Sequence, residues 1–297
     1  MVAQPYLHLD LDGAWPNDVL PEANYLDLRH WGAKLRYCSN SRLVEEFFEE
    51  MRGSLADFTL YGSGDFHYVT ALLLRRIDKP FTLVSFDNHP DWDIRPPHWC
   101  CGTWLNRALE LPNMGQAVIW GCSNGELNWP GRLFAKRSRQ LHAHPWAEKT
   151  VPSSQKIWPA VSRQDWREKF TGITSQLPAG NIYVTVDIDC LTAEDAVTNW
   201  ESGMFTANDV AWALGELHRH GRIIGGDLCG AYSPIKYARP VQRALGKLDH
   251  PAAPKEIDAA RAAEINTRAL RTIWPALIHG NQRDSGADQD HTQPERG

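Results

Sequence analysis

The chain predicts an α/β fold, a mostly parallel sheet covered by helices on both faces. Three observations carry that expectation. Short apolar runs rich in Val, Ile, Phe and Tyr alternate with longer helical patterns, and Gly, Asn or Pro bounds them. Such alternation is how βαβ units bury both faces of a sheet. The length, 297 residues with 42% hydrophobic and 23% charged residues, is ample for one sizeable core.

Strands are expected at 6–11, 58–62, 81–86, 117–121, 182–187 and 223–227, and helices at 42–51, 68–77, 103–110, 208–220 and 254–272. Phe205-Thr206-Ala207-Asn208-Asp209 marks a helix start, with Thr206 as N-cap and Asp209 at the capping-box position. Residues 129–166 carry Pro130, Pro145, Pro152 and Pro159 and read as an insertion of short strands or loops. Within it, His142-Ala-His144 reads as a surface loop, since no carboxylate stands nearby. Residues 1–280 are expected to form a single domain, and the polar tail 281–297 has the composition of a disordered chain.

Net charge is -5 and the sequence pI about 6.2, which argues against a broad phosphate-binding surface and hence against a nucleic-acid partner. No run approaches the roughly 18 apolar residues of a membrane span, and the N-terminus lacks the basic-then-apolar pattern of a signal peptide. The six cysteines include no CxxC pair, which suits free thiols in a reducing compartment. A cytoplasmic protein acting on a small molecule is the expectation.

Chemistry concentrates at three strand ends. Phe81-Thr-Leu-Val-Ser-Phe runs directly into Asp87, His89, Asp91 and Asp93. Ionisable groups at every second position repel one another unless cations intervene, and carboxylate oxygens with imidazole nitrogens suit divalent metals. Ile182-Tyr-Val-Thr-Val ends in Asp187 and Asp189, whose side chains share a side in extended chain. Leu60-Tyr-Gly-Ser-Gly-Asp-Phe-His67 turns from a strand into a helix and delivers His67 to the same sheet edge. Taken singly, each has a bland alternative: a solvated acidic loop, a turn cap, a structural histidine. Together they point to the carboxyl edge, where open α/β sheets place their sites.

At these residues the sequence resembles the ureohydrolases: arginase, agmatinase, formimidoylglutamase and relatives. The resemblance covers roughly residues 58–234, in the order Gly-rich turn, Asp-x-His-x-Asp, Asp-x-Asp, then Ser202-Gly-Met-Phe-Thr206, then Ile223-Ile-Gly-Gly-Asp-Leu-Cys229. It implies a three-layer α/β/α fold and two divalent ions, manganese being expected. One ion would be held by His67, Asp87, Asp91 and Asp187, and the other by Asp87, His89, Asp187 and Asp189. It further implies an agmatinase-like hydrolase of non-peptide C–N bonds, in which a metal-bridging hydroxide attacks a guanidino, amidino or related carbon while Asp91 handles the proton. Homo-oligomers are common among such proteins.

Three departures bear on the substrate. One residue separates Asp65 from His67 in the glycine turn. Cys101 stands where arginases carry a proton-shuttling His, with His98 as a nearby substitute. No acidic residue follows Asp227 to meet a guanidinium, which leaves Asp93 or Glu201 to supply the countercharge. Trp92, Trp99, Trp104 and Trp200 flank the motifs and offer either packing or an aromatic wall. Three rival readings stay open. They are a metal-binding non-enzyme of the same fold, a single-zinc deacetylase relative, and a phosphatase built on His8-Leu-Asp10-Leu-Asp12-Gly13.

Overall fold

The computed structural model describes residues 5–178, 180–250 and 257–279. The tail 281–297 and the start of the helix expected at 254 lie outside the described residues. In chain order the elements are β1 (Tyr6–Asp10), β2 (Asn24–Asp27), α1 (Arg29–Leu35), β3 (Cys38–Ser39), α2 (Ser41–Met51), β4 (Phe58–Tyr61), α3 (Thr70–Leu73) and β5 (Phe81–Phe86). There follow β6 (Trp99–Cys100), α4 (Trp104–Ala108), β7 (Met114–Trp120), β8 (Leu141–His144), α5 (Pro152–Gln155), α6 (Trp166–Thr174), β9 (Asn181–Asp187), α7 (Ala207–His220), β10 (Arg222–Cys229), α8 (Pro240–Asp249) and α9 (Ala259–His279). Among the described residues no helix is long and apolar enough to cross a membrane.

Eight strands form one sheet in the order β2-β1-β4-β10-β9-β5-β7-β8, every neighbouring pair parallel. The period-2 alternation of strand side chains divides the core in two. Leu7, Leu9, Leu83, Ala117, Ile119 and Tyr183 pack with α1 to α4 on one face. Val84, Phe86, Val118, Trp120, Val184 and Val186 pack with α6, α7 and α9 on the other. The result is the three-layer α/β/α arrangement, and it explains why a central strand is buried on both faces: β5 is buried at all six positions.

The start of α7 is built as the sequence indicates. Thr206 accepts from the Asp209 backbone N–H at 3.1 Å, and Asp209 accepts from the Thr206 N–H at 3.0 Å. The segment expected to be a helix at 68–77 is instead a short α-helix between two 3-10 turns, Gly64–Val69 and Leu74–Arg76. The proline-bearing insertion supplies β8, the sheet's last strand, so the reading of His142 and His144 as a surface loop needs correction. His142 is exposed on that strand, whereas His144 is buried and stacked on Trp120 at 4.4 Å.

Candidate metal centre

β5 and β9 are direct neighbours, with Phe86 opposite Val186. Their next residues, Asp87 and Asp187, therefore leave the sheet side by side. From β5 the chain proceeds to β7 on one side, and from β9 it proceeds to β10 on the other, so this is a topological switch point with a crevice at its carboxyl edge. β10 flanks β9 and β4 flanks β10, so the 3-10 turn after β4 reaches the same edge and swings His67 in. In a 3-10 turn the spacing of Asp65 and His67 is no obstacle. Asp65 turns away to pair with Arg36 at 3.3 Å and His250 at 2.7 Å.

The six expected ligands converge. His67 Nδ1 lies 3.1 Å from Asp87 Oδ2, 3.1 Å from Asp91 Oδ2 and 3.6 Å from Asp187 Oδ2. His89 Nδ1 lies 2.8 Å from Asp189 Oδ2 and 3.7 Å from Asp87 Oδ1. Among the described residues three overlapping groups of metal-compatible donors result: His67–Asp87–Asp91 and Asp87–His89–Asp189, which share Asp87, and His67–Asp187–Cys229, which brings the Cys229 thiol beside Asp187.

The tautomer of His67 shows what kind of group this cluster fits. Thr185 spends its single hydroxyl proton on Asp227 at 2.6 Å, so it can only accept from His67 Nε2 at 2.9 Å. The proton of neutral His67 is thereby fixed on Nε2, and Nδ1 turns a lone pair toward three carboxylates. Consistently, His67 Nδ1 and Asp87 Oδ2 are buried with no hydrogen-bond partner. Orphaned donor atoms of this kind cost free energy unless a cation sits between them, and hard oxygen and imidazole donors fit divalent metal ions. Asp227, bonded also by Tyr183 and Thr70, anchors the Thr185–His67 chain as an outer support.

Without cations the cluster must hold protons instead. Burial, and then the charge of Asp87, push Asp91 up to about 7. Burial leads again for Asp189, which rises to about 7, and for Asp187, which is raised well above the ordinary carboxylate value. His67 and His89 take up protons too: burial opposes their charge, but the facing carboxylates raise both well above the ordinary imidazole value, and the two imidazolium charges draw Asp87 down to about 2 against its burial.

Asp87, His89, Asp91, Asp187 and Asp189 open into a cavity of about 290 Å³, lined also by Cys101, Trp200, Glu201, Glu126 and Asp249, while His67 lies behind its wall. Cys101 reaches the wall through the small antiparallel pair β3–β6. The neighbouring Cys100 sulfur and burial both push its thiol pKa well up, so it carries no ready thiolate. His98 is exposed and does not line the cavity, so the structure does not bring it to the site. Asp93 is tied to Arg95 and is also outside the lining, whereas Glu201 is part of it and reaches His89 Nε2 at 3.3 Å. Of the four flanking tryptophans only Trp200 lines the cavity.

Gly230, three residues after Asp227, holds φ at +107°, and a Cβ there would lie 2.1 Å from Asp187 Oδ1, so the backbone as it stands leaves no room for a side chain. Gly203, in the segment that resembles the family's glycine pair, is pressed against the Cys190 backbone, 2.2 Å from a Cβ. Asp10 and Asp12 are occupied structurally. Asp10 accepts from the Gly13 N–H at 2.7 Å and from Tyr25, while Asp12 pairs with Arg36. Glu126 and Asp249 had no motif around them in the sequence.

No family model matches the chain. It is similar to a Thermotoga maritima protein described only as uncharacterized, at 28% identity over 204 residues, 68% of this chain and 69% of that one. Among solved structures it is similar to formimidoylglutamase from Bacillus subtilis, with TM-score 0.56 and 13% identity over 93% of this chain and 86% of the other. It is also similar to arginase from Bacillus subtilis, with TM-score 0.50 and 11% identity over 92% and 98%. The eight-stranded parallel sheet, its two helical layers and these likenesses together make the chain a member of the ureohydrolase fold.

Proposed function

We propose that this protein is a binuclear-metal hydrolase that cleaves a non-peptide C–N bond of a guanidino, amidino or related substrate. The observation that carries the reading is the convergence of His67, Asp87, His89, Asp91, Asp187 and Asp189, with buried lone pairs left facing one another. In this reading one ion takes His67, Asp87, Asp91 and Asp187, the other takes Asp87, His89, Asp187 and Asp189, and manganese is the metal. When bound, two divalent ions would supply the Lewis acidity that ionises water near neutral pH. The chain's own residues do the rest. Asp91 stands at the cluster's edge, held by the Trp104 indole, and takes up the proton that water releases. Trp200, Glu201, Glu126 and Asp249 shape an acidic, aromatic-edged mouth that favours a cationic or neutral substrate over an anionic one. The likeness to formimidoylglutamase and arginase supports the reaction class, and six free, buried cysteines suit a reducing, cytoplasmic location.

The test is elemental analysis of the manganese-reconstituted chain and of Asp187→Ala, followed by turnover of L-arginine, agmatine, N-formimidoyl-L-glutamate and simple acylamines. Near two metals per chain, lost in the variant, with turnover of one of these classes, is expected. One metal would favour a mononuclear deacetylase-like site. Two metals with no turnover across the panel would favour a metal-binding non-enzyme.

A further inference from the structure

Glu126 sits on the 3-10 turn Gly125–Leu127 after β7 and lines the cavity with Asp87, His89, Asp91, Asp187 and Asp189. It is half-buried, and among the described residues its carboxyl makes no hydrogen bond or ion pair. The charged groups around it are His89, Asp91 and Asp93 from the loop after β5, Asp249 from the end of α8, and Arg95, which is already bound to Asp93. Other acids near the centre are committed: Asp93 to Arg95, Glu201 to His89, and Asp249 to Tyr37 at 2.6 Å. Cys101 is a buried thiol next to another thiol, and His98 is outside. The cavity thus contains one uncommitted carboxyl, close to the cluster yet separate from its ligands.

We propose that Glu126 is the proton donor to the leaving nitrogen, an assignment that rests on the hydrolase reading above. Water adds through oxygen to the sp² carbon while one of its protons passes to the Asp91 carboxylate. The C–N bond then breaks, and its electron pair stays on nitrogen, which takes the proton of the Glu126 carboxylic acid. As the carbon becomes a carbonyl, its hydroxyl proton returns to Glu126. The proton on Asp91 leaves with the amine, so an amidinium and one water yield a carbonyl product and an ammonium. A donor must be protonated before the step. Burial first, then the neighbouring carboxylates, bring Glu126 to about 7, with His89 pulling the other way. Bound cations pull the same way as His89, so the decisive measurement is on loaded protein.

The experiment compares manganese-loaded wild type with Glu126→Gln and Glu126→Asp. Infrared difference spectra near neutral pH are expected to show a protonated carboxyl in wild type that vanishes in E126Q, with manganese content unchanged. On agmatine, E126Q is expected to lose kcat by about 100-fold with KM little moved, the ordinary scale of a general acid, and E126D is expected to recover part of it. On 3-nitrophenylguanidine, whose weakly basic aniline is a better leaving group and depends less on a general acid, the loss should be under about tenfold. An ionised Glu126 in the loaded protein, equal losses on both probes, or loss of manganese in E126Q would overturn the assignment. If wild type turns over neither these probes nor the wider panel, the hydrolase reading itself has failed, and the donor role falls with it. If wild type is active and E126Q matches it, only the donor role is lost.

Discussion

Trp104 Nε1 donates to Asp91 Oδ2 at 2.5 Å, and so pins a candidate ligand whose backbone lies in the left-handed region at φ +49°. A non-glycine residue there costs on the order of 1–2 kcal/mol. The Leu105 N–H bond to the Asp91 carbonyl at 3.1 Å and the indole together hold the conformation. Trp104→Phe keeps most of the buried ring but removes the donor. We expect manganese affinity to fall by about 10–100-fold, as for other outer-shell partners, with the fold intact by circular dichroism. Unchanged affinity by calorimetry would reduce Trp104 to packing.

Gly230→Ala sets a methyl against Asp187 in a backbone conformation that alanine resists. Strain and overpacking together should destabilise the chain by roughly 2–5 kcal/mol and weaken metal binding as Asp187 is displaced. Chemical denaturation with and without manganese checks both effects. A variant as stable as wild type would mean that the loop relaxes without touching Asp187.

His250 stacks on Trp200 at 4.3 Å and bonds Asp65 at 2.7 Å, tying α8 to the glycine turn that carries His67. Burial works against its charge, but the Asp65 carboxylate outweighs burial and the Arg36 charge, so its pKa is raised. A raised folded pKa gives stabilisation that is complete below the unfolded value of about 6.5 and lost as pH climbs through the folded value. The Tm difference between wild type and His250→Gln should therefore be widest at mildly acid pH and narrow toward alkaline pH. A gap that is constant or widens with pH would refute the charged pairing.

Thr206→Ala serves as a control remote from the ligands. It removes one half of the α7 capping box and should cost about 1 kcal/mol, read by denaturant midpoint, with metal content unaffected. Loss of metal in this variant would show that α7 and the centre are coupled.

Much of this was legible because it is repetitive in one dimension. β5 was bounded correctly at both ends, since its apolar run stops where Asp87 begins. The same logic located β9 and the Asp187–Asp189 pair. β2 went unread because it is an edge strand, half-exposed and ending in Asp27, and its pattern does not stand out from loop. β3 and β6 have two residues each, too few for a period. β8 was hidden among prolines, and the burial of His144 depends on Trp120 in the adjacent strand. Glu126 is a lone acid on a three-residue turn, and only the folded cavity places it near Asp91. Gly230 illustrates a related limit: the absence of an acid was visible in the sequence, but the close approach of this backbone to Asp187 was not.

The strand order carries a temporal consequence. β10 lies between β4 and β9 although it is the last strand among the described residues. While the ribosome is still making residues 222–229, β4 and β9 each present an unpaired edge to the nascent chain's surroundings. Such edges invite mispairing and make folding slow. His67, at the end of β4, can be brought beside Asp87 and Asp187 only when β10 has filled that gap. Assembly of the His67, Asp87 and Asp187 cluster is therefore a late event in the protein's folding.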